Sequence, residues 1–170
     1  MKVLVTGKPG SGKSTVVVKV LEELKGRGWK VGGTICPEVR EGVLRVGFDM
    51  VDLMTGRRGR LSSTAPSNGP RVGKYFVNLG VVEAIGSVAI RNALERADLV
   101  VIDEIGPMEM KSLSFRNAVG EALDKAPNLL AVVHWTMVGD FGRANIRLLE
   151  VRPDNRDGSS LTILGLFSEN

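Results

Sequence analysis

Hydrophobic and polar residues follow two different periods along this chain. Short continuous apolar runs, typical of strands buried on both faces of a sheet, occur at residues 3–6, 99–102 and 129–134. Apolar residues at helical spacing predict helices that are buried on one side, over residues 14–25, 81–96 and 115–122. Because strands and helices alternate, we predict an α/β fold with a mainly parallel sheet.

Two stretches depart from this alternation. Two β-rich runs flank residues 40–42, and a second turn follows at 55–56, so we predict a β-hairpin insertion. Residues 57–75 are rich in Gly, Pro, Ser and Arg, which predicts a loop with a short strand at 74–77.

The C-terminal part of the chain has a weaker pattern. We predict a short helix over residues 141–146 and a short strand over 147–151. The segment SSLTILGLF at 159–167 has a strand-like composition. Ser159 or Ser160 is also a suitable helix cap, so strand and helix both remain open for this segment.

Composition narrows the class of protein. The 170 residues suffice for one domain, 1–170, and 43% are hydrophobic and 25% charged, as in ordinary globular proteins. No apolar run reaches the ~18 residues of a membrane span, and we expect no signal peptide and no membrane partner. The single cysteine, Cys36, cannot form an internal disulfide; we expect it to be a buried apolar residue. We therefore expect a cytoplasmic protein, and a monomer.

The net charge of +4 is a mild excess of 23 basic over 19 acidic residues. It suits a small polyanion as a partner. It is too small by itself to indicate a nucleic-acid-binding protein.

The most specific motif lies directly after the first predicted strand. It fits GxxxxGK[ST] at every fixed position through Gly7, Lys8, Pro9, Gly10, Ser11, Gly12, Lys13 and Ser14. We call these residues the phosphate loop. Glycines let the backbone approach a phosphate, successive N–H groups form an anion nest, and the following helix adds partial positive charge. A chance glycine-rich turn is the alternative, but the position between strand and helix favours nucleotide binding.

The side chains that end the motif have separate expected roles. We expect Lys13 to bridge the β and γ phosphates, Ser14 to bind Mg²⁺ and Thr15 to reach the α phosphate. Mg²⁺ is therefore the expected cofactor, and nucleoside triphosphates are the expected partners.

A second part of the site is predicted where an apolar strand ends in acids, since ligands gather at the carboxyl ends of parallel strands. This segment comprises Leu99, Val100, Val101, Ile102, Asp103, Glu104, Ile105 and Gly106. We expect Asp103 to hold Mg²⁺ through its water shell and Glu104 to activate a water against the γ phosphate. The alternative is a strand end with two solvated acids. Glu109 either contributes a further polar group or lies on the surface, and the surface is favoured.

Five other residues are weaker candidates for the site: Arg71, Lys74, His134, Asn155 and Arg156. His134 ends a predicted strand at the phosphate edge and either senses the γ phosphate or is structural. Arg71 and Lys74 lie in a loop long enough to fold over the site, although a solvated loop is favoured for both. Asn155 and Arg156 either contact the base or form a plain turn.

The order of these motifs resembles a known family. GKPGSGKST, PEVREG, PRVGKY, LVVIDEIGPMEM, AVVH and DNRD occur as in the small thermophile-type nucleoside-triphosphatases, which have an animal relative described as cancer-related. The resemblance covers nearly the whole chain, and it implies that residues 7–15 and 99–106 are the two nucleotide-binding segments. It also implies a RecA-like domain with an additional catalytic glutamate, a C-terminal helix, and Mg²⁺-dependent hydrolysis of ATP, GTP and other nucleoside triphosphates.

Two positions depart from the family pattern. Cys36-Pro37 stands where relatives usually have an aromatic residue and a threonine, and Pro107 stands where they often have lysine. Neither change touches phosphate chemistry, but both alter neighbouring loops.

Hydrolysis of nucleoside triphosphates is the leading hypothesis. A small-molecule or nucleotide kinase that uses the same phosphate loop is the alternative. It would need an acceptor pocket and an arginine-rich lid, for which residues 57–63 are the only crude candidate. A switch that couples nucleotide state to nucleic-acid binding is disfavoured by the mild charge and the lack of a recognition motif.

Overall fold

The computed structural model describes residues 1–168. Its sheet has five parallel strands in the order β10–β1–β9–β8–β2. These are β1 (Lys2–Thr6), β2 (Val31–Ile35), β8 (Leu99–Ile105), β9 (Leu129–Val133) and β10 (Arg147–Glu150). The predicted α/β fold with a parallel sheet is confirmed.

Helices cover both faces of the parallel strands. One layer contains α1 (Lys13–Gly26) and α5 (Arg156–Ser168). The other contains α2 (Leu79–Val81), a π-helical segment (Val82–Ser87), α3 (Val88–Arg96) and α4 (Leu113–Lys125). Successive residues of β8 alternate between the layers, so that Val101 packs with α1 and α5 while Ile102 packs with α3 and α4. Burial on both faces explains the continuous apolar runs.

An antiparallel extension continues the sheet beyond β2. Its strands are β3 (Glu38–Glu41), β4 (Leu44–Asp52), β5 (Arg58–Ser63), β6 (Arg71–Val72) and β7 (Tyr75–Val77). They continue in the order β4–β5–β7–β6, and β3 pairs with the other end of β4. The predicted hairpin is confirmed as β3 and β4, but the insertion is larger than one hairpin.

The loop predicted over residues 57–75 is wrong for β5 and β6. Leu61 is buried in the same core cluster as Met50 of β4, and Gly59 pairs with Met50 across the two strands. Pairing and burial therefore override the Gly- and Ser-rich composition of β5.

The predicted strand at 147–151 is confirmed as β10, whereas the predicted helix at 141–146 is wrong. A 3₁₀ turn (Val138–Asp140) precedes that segment, and turns follow it up to Ile146. Phe141 is the only buried residue of segment 141–146, so its burial anchors a turn and does not mark a helical stripe.

The segment at 159–167, for which strand and helix were both open, lies in a helix, α5, as the family resemblance implies. Ile163, Leu164 and Phe167 repeat at helical spacing and pack in one cluster with α1. Ser159 and Ser160 lie inside the helix and do not cap it. Within residues 1–168, no helix combines the length and the hydropathy that a membrane crossing requires.

Candidate active site

The carboxyl ends of four parallel strands meet at one edge of the sheet. There, β1 leads into the phosphate loop, β2 into Cys36, β8 ends near Asp103, and β9 leads into His134. All four ends line one cavity of about 540 Å³. This is the edge at which open α/β sheets bind ligands.

The phosphate loop has the backbone that its glycines allow. Gly10 and Gly12 have φ angles of 78° and 98°, in the left-handed region. The ammonium of Lys13 donates hydrogen bonds to the carbonyl oxygens of Gly7 at 2.8 Å and Lys8 at 3.1 Å. The loop and first helical turn line the cavity through Pro9, Gly10, Gly12, Lys13, Ser14 and Thr15.

Three other residues form the base of the loop. A Cβ atom on Gly7 would overlap the carbonyl oxygen of Val151, so only glycine fits there. The Ser11 N–H donates to the Lys8 carbonyl oxygen at 3.1 Å, and Ser11 is buried. These contacts fix the loop against β10 and the turn that follows it.

Asp103 and Glu104 both line the cavity at the end of β8. The pairing of β8 with β9 shifts between Asp103 and Ile105, which leaves Glu104 out of the ladder. Burial, followed by the charge of Glu104, raises the pKa of Asp103 to about 7, although Ser14 and Lys13 lower it. Burial also raises the pKa of Glu104, against the opposing charges of His134 and Lys13. Both acids therefore lie within electrostatic reach of Lys13.

The other residues of the predicted acidic segment lie mainly in the core. Leu99, Val100, Val101, Ile102 and Ile105 are buried in the two core clusters. Gly106 follows them and lies beneath the carboxylate of Glu104.

Glu109 belongs to the site, and the expectation that it lies on the surface is wrong. It is only 4% exposed and lines the cavity. A Cβ atom on Gly106 would stand 2.6 Å from Oε1 of Glu104 and 3.0 Å from Oε2 of Glu109, so the two carboxylates face each other there. Burial, then the charge of Glu104, raises the pKa of Glu109 to about 8. The 3₁₀ turn (Glu109–Lys111) that directs this residue inward has no periodic signature in the sequence.

The side of the cavity away from β1 was not predicted. We call it the far wall; it comprises Glu38, Arg45, Phe48, Val72 and Tyr75. Arg45 donates from Nε to the hydroxyl oxygen of Tyr75 and from Nη1 to Oε1 of Glu38, both at 2.9 Å. Its guanidinium carbon lies 5.1 Å from the ring centroid of Phe48. The far wall is therefore a set of side chains already fixed by one another.

Arg71 and Lys74 do not belong to the cavity lining that the structure describes for residues 1–168. Arg71 donates to the Gly73 carbonyl oxygen at 2.9 Å within its own turn, and Lys74 lies over the outer side of the Tyr75 ring. Their neighbours Val72 and Tyr75 line the cavity instead. Arg71 and Lys74 are both exposed, as the favoured expectation of a solvated segment has it.

Cys36 is partly buried: it packs against the core cluster of α3 and α4, as expected of an apolar residue, and it also lines the cavity. Burial, then the charges of Glu109, Asp103 and Glu104, raises the pKa of its thiol. The thiol therefore stays protonated near neutral pH, which disfavours a role as nucleophile.

The remaining candidates lie in two places. His134 lines the cavity, and its Nδ1 is 2.8 Å from the Thr136 hydroxyl oxygen. Asn155 accepts from the Arg152 N–H at 2.8 Å and donates to the Glu150 carbonyl oxygen at 2.9 Å, which holds the turn before α5. A Cβ on Gly12 would overlap the side chain of Arg156, which therefore covers the β10 side of the phosphate loop.

The oxygen atoms at the loop fit a magnesium ion. Ser14 and Asp103 are neighbours that offer one hydroxyl and one carboxylate, both hard oxygen ligands. Within residues 1–168, no group of three or more His, Cys, Asp or Glu side chains forms a metal cage of its own. Mg²⁺ sites of this kind use one or two protein ligands and complete their shell with water and substrate phosphates.

Known proteins match nearly the whole chain. The sequence model of the NTPase family, described as NTPase, matches residues 2–164. The chain is 47% identical to nucleoside-triphosphatase THEP1 of Methanothermobacter thermautotrophicus, over 99% of this chain and 97% of that protein. It is 49% identical to the protein of the same name from Thermofilum pendens, over 91% and 88% of the two chains.

Two solved structures resemble the whole chain. The crystal structure of THEP1 from the hyperthermophile Aquifex aeolicus has a TM-score of 0.86 at 32% identity and covers 98% of each chain. The solution structure of a human cancer-related nucleoside triphosphatase has a TM-score of 0.82 at 32% identity, covering 99% of this chain and 98% of that chain. The RecA-like P-loop fold, in which β9 separates the phosphate-loop strand from the acidic strand, is confirmed. The chain belongs to the NTPase family, together with the THEP1 nucleoside-triphosphatases.

Proposed function

We propose that this chain is a Mg²⁺-dependent hydrolase that converts ATP, GTP and other nucleoside triphosphates to the diphosphate and phosphate. The observation that carries this proposal is that Lys13, on the phosphate loop, and Glu104, at the end of β8, line the same cavity. Relatives named nucleoside-triphosphatase match nearly the whole chain, which supports the same activity.

The phosphate loop would hold the triphosphate through its main-chain N–H groups. Lys13 already lies over the loop, and it would exchange its two carbonyl acceptors for oxygens of the β and γ phosphates. Ser14 and Asp103 would hold Mg²⁺, which supplies positive charge to the phosphates. Arg156 covers the β10 side of the loop, so we propose that the base lies toward β10 and the γ phosphate toward Glu104.

Glu104 would take a proton from the attacking water. Its raised pKa makes it a stronger base than an ordinary carboxylate, and it lies outside the β8–β9 ladder. Lys13 would neutralise the charge that develops as the γ phosphoryl group leaves.

Replacing Glu104 by Gln tests this role. We expect the Glu104→Gln variant to bind triphosphate normally but to release phosphate roughly 10²- to 10⁴-fold more slowly. Phosphate release over ATP, GTP, CTP and UTP with Mg²⁺, with a parallel binding titration, gives both values. The control is Glu22→Gln, on the exposed face of α1. Hydrolysis by Glu104→Gln at the wild-type rate would falsify the assignment.

Removing the metal tests the cofactor. We expect a chelator to stop phosphate release and added Mg²⁺ to restore it. In the Asp103→Asn variant, more Mg²⁺ should be needed for half-maximal rate, because one of the two protein ligands has lost its charge. An unchanged Mg²⁺ requirement would remove Asp103 from the metal site.

A kinase that uses the same loop is the alternative function, and it differs in what attacks the γ phosphorus. Phosphate release without any added acceptor favours the hydrolase. We further propose that the chain acts as a single domain, as a monomer and in the cytoplasm, without nucleic acid as its main partner. Sedimentation of the purified chain tests the monomer.

A further inference from the structure

The cavity continues past the place proposed for the γ phosphate. Along the sheet, the order β10–β1–β9–β8–β2–β4 puts Arg156 near one end and the far wall beyond β2 at the other. If the base lies toward Arg156, the far wall lies on the opposite side of the γ phosphorus. The cavity of about 540 Å³ is lined by the phosphate loop on one side and by the far wall on the other, so it extends beyond the place proposed for the attacking water.

The far wall has the composition of a small-molecule site. Phe48, Val72 and Tyr75 supply an apolar and aromatic surface, and Glu38 and Arg45 supply a few polar groups. The rings of Phe48 and Tyr75 contact each other edge to face at 5.5 Å. All five residues lie on or between paired strands, which holds them rigidly.

Arg45 keeps free hydrogen-bond donors although it is already fixed. Its bonds to Glu38 and Tyr75 use two of the five guanidinium N–H groups. Glu38 offers carboxylate oxygens beside it as acceptors. A donor and an acceptor side by side, next to aromatic rings, suit the polar edge and the flat face of a nucleobase.

The two carboxylates at Gly106 lie between the far wall and the phosphate loop. Of these two carboxylates, the proposed hydrolysis uses only that of Glu104. Glu109 is almost fully buried, lines the same cavity and forms no ion pair within residues 1–168, so it presents an oxygen that the hydrolytic role leaves unused. A sugar has more than one hydroxyl, and Glu109 is placed to accept a hydrogen bond from a second one.

We propose that the far wall is an acceptor site and that this chain also transfers the γ phosphoryl group to the primary hydroxyl of a nucleoside. The proposal rests on the proposed seating of the triphosphate. The hydroxyl oxygen forms a bond to the γ phosphorus while the bond from that phosphorus to the β–γ bridging oxygen breaks. The hydroxyl proton passes to Glu104, and the products are a nucleoside monophosphate and the nucleoside diphosphate.

The direct test uses the full chain with ATP labelled at the γ phosphate, Mg²⁺, and adenosine, guanosine, cytidine, uridine or thymidine in turn. We expect labelled monophosphate from at least one nucleoside, with a matching fall in free phosphate. Continued phosphate release with no labelled monophosphate from any of the five overturns the acceptor site and leaves the hydrolase standing. Loss of both products overturns both proposals.

A matched pair of arginines tests the location of the site. Arg40 and Arg45 both pair with Glu38, but Arg45 lines the cavity while Arg40 lies on the exposed hairpin. We expect Arg45→Ala to lower the ratio of transfer to hydrolysis at least ~10-fold, and Arg40→Ala to change it less than about 2-fold. Equal ratios in the two variants overturn the assignment of the far wall. Should Arg45→Ala not fold, Phe48→Leu is the second variant; a raised KM for the nucleoside supports the site, and an unchanged KM refutes it.

Discussion

The two sides of the cavity are built from different parts of the chain. The phosphate loop consists of eight consecutive residues. The groups proposed to bind the phosphates are its main-chain N–H groups and the side chain of Lys13. The far wall consists of side chains from β4, β6 and β7 and from the start of β3, and Arg45 reaches a partner 30 residues away. A site made of backbone has to be encoded locally, whereas a site made of side chains depends on strands that pair over long distances.

The difference also concerns charge. The phosphate side places Lys13 and a helix N-terminus beside partly buried acids whose pKa values are raised. The far wall instead has a balanced ion pair between Glu38 and Arg45, packed on aromatic rings. The first arrangement suits a polyanion with its metal, and the second suits a neutral planar molecule.

After the loss expected for Glu104→Gln, the largest effect comes from the phosphate side. In Lys13→Ala, the ammonium that lies over the loop is lost, and with it the charge that would neutralise the leaving phosphate. We expect kcat/KM for ATP to fall roughly 10²- to 10³-fold, as when one transition-state donor is removed. The control is Lys19→Ala, on the exposed face of α1. A fall of similar size in both variants would mean that the overall positive charge of the chain, and not the position of Lys13 on the loop, holds the triphosphate.

The next effect concerns the two carboxylates that lie between the sides. Gly106→Ala would place a methyl group against Glu104 and Glu109. The ends of these side chains can move, so we expect little loss of stability. Turnover should fall roughly 10- to 100-fold, because a displacement of about 1 Å at a reacting group is costly. Steady-state kinetics together with a thermal midpoint measures both. A normal rate would show that the position of Glu104 is not critical.

The phosphate loop and the acidic end of β8 could be located from the sequence, and both line one cavity in the structure. The glycine spacing at Gly7, Gly10 and Gly12 and the acids at the end of β8 follow from local chemistry that needs no tertiary information. The helix that follows the loop and the alternating strands were equally visible, since both faces of the parallel sheet are buried.

The far wall could not be predicted in the same way. Burial of Leu61 and pairing with β4 turned a polar segment into β5, and the hairpin of β6 and β7 leaves Lys74 exposed in the turn and Tyr75 buried at the start of β7. Glu109 faces inward because a single 3₁₀ turn redirects the chain after β8. Leu61 packs with residues distant in sequence, which a local pattern does not contain, and the short turns at Glu109 and Lys74 have no periodic signature.

A smaller effect is expected at the β10 end of the phosphate side. The side chain of Arg156 lies against Gly12, so Arg156→Ala uncovers the loop without touching Glu104. We expect KM for ATP to rise about 3- to 10-fold with kcat unchanged, as for the loss of uniform binding. A lower kcat at unchanged KM would instead indicate that Arg156 makes an interaction that forms only in the transition state.

The smallest effect on activity is expected in the framework of the far wall. Asp49 on β4 accepts hydrogen bonds from Nε of Arg58 and Nε of Arg60 on β5, both at 2.7 Å. Burial raises the pKa of Asp49, but these two arginines outweigh it and bring the pKa below its ordinary value of 3.8. The contribution to stability is therefore present above pH 3.8 and is lost as the pH falls through the lower folded-state pKa.

Replacing Asp49 by Asn should therefore lower the free energy of unfolding at pH 7 by about 1 kcal/mol, a figure kept small because both arginines are half-exposed. Hydrolysis should not change, since Asp49 is not part of the described cavity lining. Urea unfolding at pH 7 and again below pH 3.8 should show the difference from wild type shrinking in acid. The matched control is Asp154→Asn, which removes a fully exposed pair with Arg152 and should have no measurable effect. A difference that persists in acid would mean that packing, and not the charge of Asp49, joins β4 to β5.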